Sequence, residues 1–159
     1  MSVEPQSKPG SPGLLRLRLW VRLLRAVRPI EVELRRRLDR EFGTTLPKFD
    51  VMAALARRKG GMTMTEVSRL LMVSNGNITG LIDRLVAEGM VMRIANQQDR
   101  RATFVRLTPK GLRRFAAMAE AHERWVNEVL ASISAEDGEA LVGLLDDLTA
   151  KTRAGERSR

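Results

Sequence analysis

The chain has 159 residues, of which 43% are hydrophobic and 30% charged, a balance that suits a globular protein with a buried core. Its 28 lysines and arginines exceed its 19 acidic residues, and the net charge of +9 favours a polyanionic partner, with nucleic acid ahead of an anionic membrane surface. The lack of cysteine excludes disulfides, thiolate metal sites and thiol redox sensing, and a single histidine, His122, argues against a histidine metal site.

The sequence shows no pairing of a nucleophile with a base and no metal-ligand spacing, so we expect neither an enzyme nor a cofactor. No apolar run approaches the roughly 18 residues that cross a bilayer. Residues 1–13 are rich in Pro, Gly and Ser and lack the apolar core of a signal peptide. We therefore expect a cytoplasmic protein that begins with a disordered lead over residues 1–13.

Residues 14–42 are predicted to form one long helix. Apolar residues occupy so much of the surface of this helix that it cannot bury them alone, so we expect it to pack against other helices or a second chain. An Arg-rich transit peptide or a membrane-surface helix has a similar composition, but the interleaved acids argue against both alternatives. The apolar positions at helical spacing are Trp20, Leu23, Leu24, Val27, Ile30, Leu34 and Leu38.

Two shorter helices follow. Gly43 ends the long helix, and Pro47 is tolerated in the first turn of the second, whose predicted core face contains Phe49 and Met52. The pattern Thr63-x-x-Glu66 is a capping box that begins the third helix. A tight turn at residues 72–74 joins it to a fourth helix, and this order predicts a helix-turn-helix, although the turn lacks the frequent glycine.

The fourth predicted helix covers residues 75–88, between an N-cap at Ser74 and a stop at Gly89. Its apolar stripe is formed by Ile78, Leu81, Ile82, Leu85 and Val86. The opposite face is short and uncharged, with Asn75, Gly76, Asn77, Thr79 and Gly80. Such a face suits close approach to base edges, because Asn pairs with adenine and the Thr methyl contacts thymine. A poorly helical surface turn is the alternative.

Residues 91–94 and 102–107 have strand character on either side of a polar turn, which predicts a β-hairpin with a basic tip. Thr108 and Pro109 then begin a long helix that ends at about Ser132. Ser134-x-x-Asp137 begins the last helix, where Leu141, Leu144, Leu145 and Leu148 form an apolar seam, and residues 154–159 form a charged tail.

Three segments resemble the MarR family of bacterial transcription regulators: Ser74-Asn75-Gly76-Asn77-Ile78-Thr79-Gly80-Leu81-Ile82-Asp83-Arg84-Leu85, Asp99-Arg100-Arg101 and Val105-Arg106-Leu107-Thr108-Pro109-Lys110-Gly111. The resemblance implies a mainly α fold with a small β wing. It implies a winged helix-turn-helix DNA-binding lobe over residues 45–108. Residues 14–42 and 109–153 are the implied dimerisation helices of a homodimer.

By this resemblance, Ser74, Asn75, Asn77 and Thr79 face double-stranded DNA, and Arg84 lies near the phosphates and the base of the wing. Asp99 orients Arg101, which enters the minor groove. The implied function is a ligand-released repressor on a palindromic operator. A non-specific architectural DNA-binding protein is the alternative.

The family couples small-molecule binding to loss of DNA affinity, and the expected effector is an aromatic acid or an aromatic acyl-CoA. Arginine pairs well with carboxylate or phosphate. The segments around residues 17–25 and 44–50 also resemble the subgroup that answers to hydroxycinnamoyl-CoA esters. The candidate ligand-binding residues are Trp20, Arg36, Arg40, Phe49 and Met52. Core packing and solvated surface charge are the competing interpretations.

Overall fold

A computed structural model describes residues 12–95 and 103–157, with side chains as far as Thr152. The elements are α1 (Pro12–Phe42), α2 (Leu46–Ala56), β1 (Met62–Thr63), α3 (Met64–Leu71), α4 (Asn75–Ala87), β2 (Val91–Ala95), β3 (Thr103–Leu107), α5 (Pro109–Val129) and α6 (Ala135–Arg157). One compact unit extends through His122, and a second begins at Glu123. This is the predicted mainly α fold with a small sheet.

Helix α1 begins at Pro12, within the segment predicted as a disordered lead, because proline is favoured at the first helical position. It ends where predicted, at Gly43, whose φ of +57° breaks the helical path. Only Leu34 and Leu38 of α1 are buried. Most of the apolar residues of its amino-terminal half are exposed, Trp20 by 58%, and Leu23 is half-buried.

Helix α2 is the centre of the first unit and contacts α1, α3, α4 and β3. The sequence predicts one apolar face with Phe49, Met52, Ala53 and Ala56, of which the two alanines are half-buried. Val51, Ala54 and Leu55, outside that face, are buried as well. The buried surface is wider than predicted because neighbours surround this helix on several sides.

The sheet has three antiparallel strands in the order β1-β3-β2. Met62 pairs with Val105, and Val91 pairs with Leu107. The hairpin of β2 and β3 is predicted from the sequence, whereas β1 is not. Two residues are too few to show an alternating pattern, and the same residues lead into the capping box of α3.

Helix α5 ends at Val129, three residues before the predicted end at Ser132. The predicted start of α6 is confirmed, since the Ser134 hydroxyl accepts a hydrogen bond from the Asp137 amide at 3.1 Å. The seam residues Leu141, Leu144, Leu145 and Leu148 are exposed. Among the described residues, no helix is both long and apolar enough to cross a bilayer.

Candidate nucleic-acid interface

The turn between α3 and α4 is closed by local hydrogen bonds. The Ser68 hydroxyl donates to the Val73 carbonyl at 2.6 Å, and the Val73 amide donates to the Ser68 carbonyl at 3.2 Å. Met72 takes the left-handed conformation, with φ 54° and ψ 39°, at the position where a glycine is usual. The turn therefore has the expected geometry without the expected residue.

The capping box predicted for α3 is confirmed. The Glu66 amide donates to the Thr63 hydroxyl at 3.2 Å, and the Thr63 amide donates to the Glu66 carboxylate at 2.8 Å. These bonds satisfy amides that the first turn of a helix leaves unpaired. They fix the start of α3 directly after β1.

Helix α4 is regular, which removes the alternative of a poorly helical turn. The Asn77 amide donates to the Ser74 hydroxyl at 3.4 Å, so Ser74 is the N-cap. Ile78, Ile82 and Leu85 are buried and anchor the helix to the core. The predicted DNA-facing residues, Ser74, Asn75, Asn77 and Thr79, are all exposed at its amino-terminal end.

In the first two turns of α4, the side opposite the buried stripe carries glycine rather than long side chains. At 3.6 residues per turn, Gly76 and Gly80 lie roughly opposite Ile78 and Ile82. A Cβ added at either glycine would meet no atom within 4 Å. The helix backbone can consequently come close to a flat or grooved partner on this side.

The Thr79 hydroxyl donates to the Asn75 carbonyl at 2.9 Å. Its proton is therefore engaged within the helix, and the oxygen lone pairs remain for a donor outside. The side-chain amides of Asn75 and Asn77 offer both donors and acceptors. The amino-terminal end of α4 thus presents hydrogen-bonding groups that carry no net charge.

The other end of α4 is tied to the sheet by an ion pair between Asp83 and Arg93 of β2. No sequence pattern predicts this pair. Arg84 is exposed in the last turn and makes no ion pair with the residues that the structure describes. Asp99 and Arg101, predicted for the tip of the wing, lie outside the described residues.

The motif Thr108-Pro109-Lys110-Gly111 joins the end of α4 to the start of α5. The Thr108 hydroxyl donates to the Gly89 carbonyl at 2.7 Å and accepts from the Gly111 amide at 2.9 Å. Thr108 is thus the predicted N-cap of α5. The Thr108 amide donates to the Met90 carbonyl at 2.9 Å. We call the contact between residues 88–90 and 108–111 the α4–α5 joint.

The structure does not gather the predicted ligand-binding residues into one site of the subunit. Phe49 and Met52 are buried, whereas Trp20 is exposed and stands about 24 Å along α1 from Arg36. Arg36 pairs with Glu33 at 2.8 Å, and Arg40 pairs with its neighbour Glu41 at 3.0 Å. Hydrogen bonds from Arg36 and Arg37 lower the pKa of Glu33 to about 2.

Phe49 belongs to a ring cluster that no sequence pattern predicts. Its ring stacks on His122 with centroids 4.6 Å apart, and it lies 5.7 Å from the Phe115 ring. Burial lowers the pKa of His122. Burial and, after it, the neighbouring Glu31 raise the pKa of Asp50, next to Phe49 on α2.

A capped recognition-type helix after a tight turn, followed by a β-hairpin that pairs with a third strand from before the two helices, defines a winged helix-turn-helix protein. Residues 42–102 match the profile of the MarR family. BadR of Rhodopseudomonas palustris, named a transcriptional activatory protein, is 32% identical over 76% of this chain and 70% of its own. MhqR of Bacillus subtilis, an HTH-type transcriptional regulator, is 26% identical over 81% of this chain and 88% of its own.

Among solved structures, a MarR family transcriptional regulator from Silicibacter pomeroyi is 34% identical, with a TM-score of 0.76 over 89% of this chain and 98% of that one. The chain belongs to the MarR family of transcription regulators. It is accordingly a DNA-binding regulator and not an enzyme.

Proposed function

We propose that the protein acts as a homodimer that reads a palindromic operator, with α4 of each subunit in a major groove. The observation that carries this proposal is the exposed, uncharged, amide-bearing end of α4 on a helix anchored by buried residues. A protein that binds DNA only through its charge contacts phosphates, and phosphate contacts carry no sequence information. Such a protein would be expected to place Lys or Arg on that face.

Within this proposal, Asn75 and Asn77 contact base edges, where an amide can pair with adenine in two hydrogen bonds. Ser74 and Thr79 make shorter polar contacts beside them. Arg84, exposed and unpaired with any described residue, contacts a phosphate. Asp99 orients Arg101 toward the minor groove, whose negative potential attracts arginine.

The proposed homodimer rests on apolar surface that the subunit leaves exposed. Leu17, Trp20 and Leu24 of α1 are each exposed by half or more, as are Leu144 and Leu148 of α6. Monomeric proteins rarely keep contiguous apolar patches of this kind in water.

Charge supports the same pairing between subunits. Residues 12–30 contain five arginines and no acidic residue, whereas residues 135–150 contain five acidic residues and no basic one. We infer that α1 of one subunit packs against α6 of its partner. Raising the salt concentration should weaken this dimer, since exposed opposite charges are screened.

Repression is the proposed mode of action, because a dimer on a promoter blocks access for other proteins. BadR carries the name of an activatory protein, so activation is the competing outcome. A reporter assay with and without the regulator decides between them. Higher reporter output with the regulator present would overturn repression.

The proposed effector is an aromatic acid or an aromatic acyl-CoA. Support comes from the exposed guanidinium groups of Arg36 and Arg40 at the end of α1, which suit carboxylate or phosphate. Phe49 and Met52 would have to become accessible to contact such a ligand. Thermal shift and operator release are measured with p-coumaroyl-CoA, feruloyl-CoA and the free acids. If none of the four shifts the melting temperature or releases the operator at micromolar concentration, the effector proposal is wrong.

The proposed DNA-binding function is tested by selecting sites from a random double-stranded DNA pool. A selected palindrome is expected, with a specific affinity at least about 1,000 times the non-specific one. A ratio near one would favour the architectural alternative. Asn77→Ala should relax base preference at one position of each half-site. Arg101→Ala should weaken binding while leaving the dimer intact.

A further inference from the structure

Glu88, the residue that ends α4, is held by two lysines from different helices. Its carboxylate pairs with Lys48 of α2, and its backbone carbonyl accepts a hydrogen bond from Lys110 Nζ of α5 at 2.9 Å. We propose that Glu88 is a positioning residue for DNA binding, which sets the tilt of α4 and the base of the wing. This inference rests on the proposed DNA-reading role of α4. We call Lys48, Glu88 and Lys110 the Glu88 clamp.

The contact with Lys48 ties the end of α4 to the core. The Lys48 side chain is only 15% exposed, and its ion pair is with Glu88, whose side chain is 43% exposed. A lysine side chain that is largely covered loses more when its partner is removed than a fully exposed one. Because α2 also packs against α1, α3 and β3, a bond to α2 ties the end of α4 to the core of the lobe.

The contact with Lys110 satisfies a carbonyl at the end of α4. Carbonyls in the last turn of a helix have no partner within the helix, and a positive charge there is also favoured by the helix dipole. Lys110 is the second residue of α5, so the same bond joins the end of α4 to the start of α5.

The β2–β3 hairpin of the wing connects to the rest of the lobe beside the Glu88 clamp. Gly89 and Met90 follow Glu88 directly, and the first pair of the hairpin is Val91 with Leu107. The ion pair of Asp83 with Arg93 joins α4 to β2 a second time, in addition to the chain connection through Gly89 and Met90. A change in the angle at Glu88 therefore moves both proposed DNA-reading elements together.

A small change in the angle of α4 at Glu88 gives a large displacement of its amino-terminal end. The 13 residues of α4 place Ser74 about 20 Å from Glu88. A tilt of about 3° displaces the far end by about 1 Å, which is enough to lose hydrogen bonds to base edges.

Glu88→Gln removes the carboxylate that pairs with Lys48 and leaves the Lys110 bond, which is to the backbone carbonyl. It therefore tests the Lys48 side of the clamp, where loss of the ion pair and loss of the charge predict opposite effects on DNA binding. The substitution removes a negative charge, so charge alone predicts equal or tighter binding to DNA. Loss of the Lys48 pair predicts roughly tenfold weaker binding to the selected operator, with non-specific affinity unchanged or higher. Binding is measured at fixed salt on the dimer, with the active fraction set by stoichiometric titration.

Glu41→Gln is the matched control. It removes the same charge and one ion pair, with Arg40, but both residues lie on α1 and tie no part of the lobe to α4. Its operator affinity should equal or slightly exceed that of the wild type. The charge-exchanged double variant Lys48→Glu with Glu88→Lys restores the pairing and should recover most of the operator affinity.

The outcomes separate the two proposals. A wild type that selects no sequence would overturn the proposed function. If the wild type selects an operator and Glu88→Gln binds it as tightly as the wild type, the clamp is wrong. A parallel loss of specific and non-specific binding, or no recovery in the exchanged pair, would also overturn it, since both would mean general damage to the fold.

Discussion

Gly111 lies directly on the backbone of Met90. A Cβ built at residue 111 would stand 2.0 Å from the Met90 carbonyl oxygen. No side chain fits this distance, and the atom that blocks it is backbone rather than a flexible side-chain end. The α4–α5 joint can therefore close only around glycine.

Gly111→Ala should lower the free energy of unfolding by at least about 2 kcal/mol, because the joint must open to admit the methyl group. Thermal or urea denaturation measures the loss. Gly143→Ala is the control, since a Cβ at Gly143 in α6 would meet nothing within 4 Å. If both variants unfold alike, the close packing of Gly111 on Met90 is not what limits this position.

Met72→Gly should stabilise the protein. Met72 has φ 54°, a conformation that costs an ordinary residue about 1–2 kcal/mol, and its side chain is 77% exposed and packs little. Glycine removes that cost but loses some of the gain through its more flexible unfolded state, which leaves a net increase of about 0.5–1 kcal/mol. Met72→Ala keeps the Cβ and should give no such increase in denaturation midpoint.

Gly80→Ala should raise the stability of the protein and weaken its binding to DNA. Alanine is favoured over glycine inside a helix by about 1 kcal/mol, and the added Cβ meets no atom within 4 Å. The same methyl group lies on the side of α4 opposite its buried stripe, where the proposed groove contact is made. We expect a higher melting temperature together with weaker operator binding. Gly143→Ala should raise the melting temperature without changing affinity.

His122 should make the protein less stable in mild acid. Burial lowers its pKa below the ordinary value of 6.5, so the folded state binds a proton less readily than the unfolded state. Its contribution to stability is present above pH 6.5 and is lost as the pH falls through the lowered pKa. Melting temperatures at pH 7.5 and 5.5 should differ more for the wild type than for His122→Gln.

The raised pKa of Asp50 contributes with the opposite sign, since protonation of that carboxyl favours the folded state. Comparing two proteins that share Asp50 removes its contribution from the difference. An equal change with pH in the wild type and in His122→Gln would show that His122 does not titrate across this range.

Features that depend on neighbours in the chain were predicted well from the sequence. The N-cap at Ser74, the buried Ile78 and Ile82, and the capping box at Thr63 are set by spacings of three or four residues, and all are found. The start of α5 at Thr108 follows from the same kind of local signal.

Features that depend on tertiary structure could not be predicted in this way. Asp83 and Arg93 are 10 residues apart, and Lys48 and Glu88 are 40 apart, so no periodic pattern links them. Phe49 is a predicted ligand-lining residue, and the structure buries it in a ring cluster with His122, whose place 73 residues further along the chain no periodic pattern indicates. An apolar side chain at helical spacing has the same sequence signature in either role.

The pairing of Met62 with Val105 has a consequence for the order of folding. This pair encloses α3, α4, β2 and the first residues of β3 in a single loop of chain. Closing a loop of that length costs entropy that shorter contacts do not, so the hairpin and the two helices should form first and β1 should join last. The amides of β1 should then be the first of the sheet to exchange with deuterium.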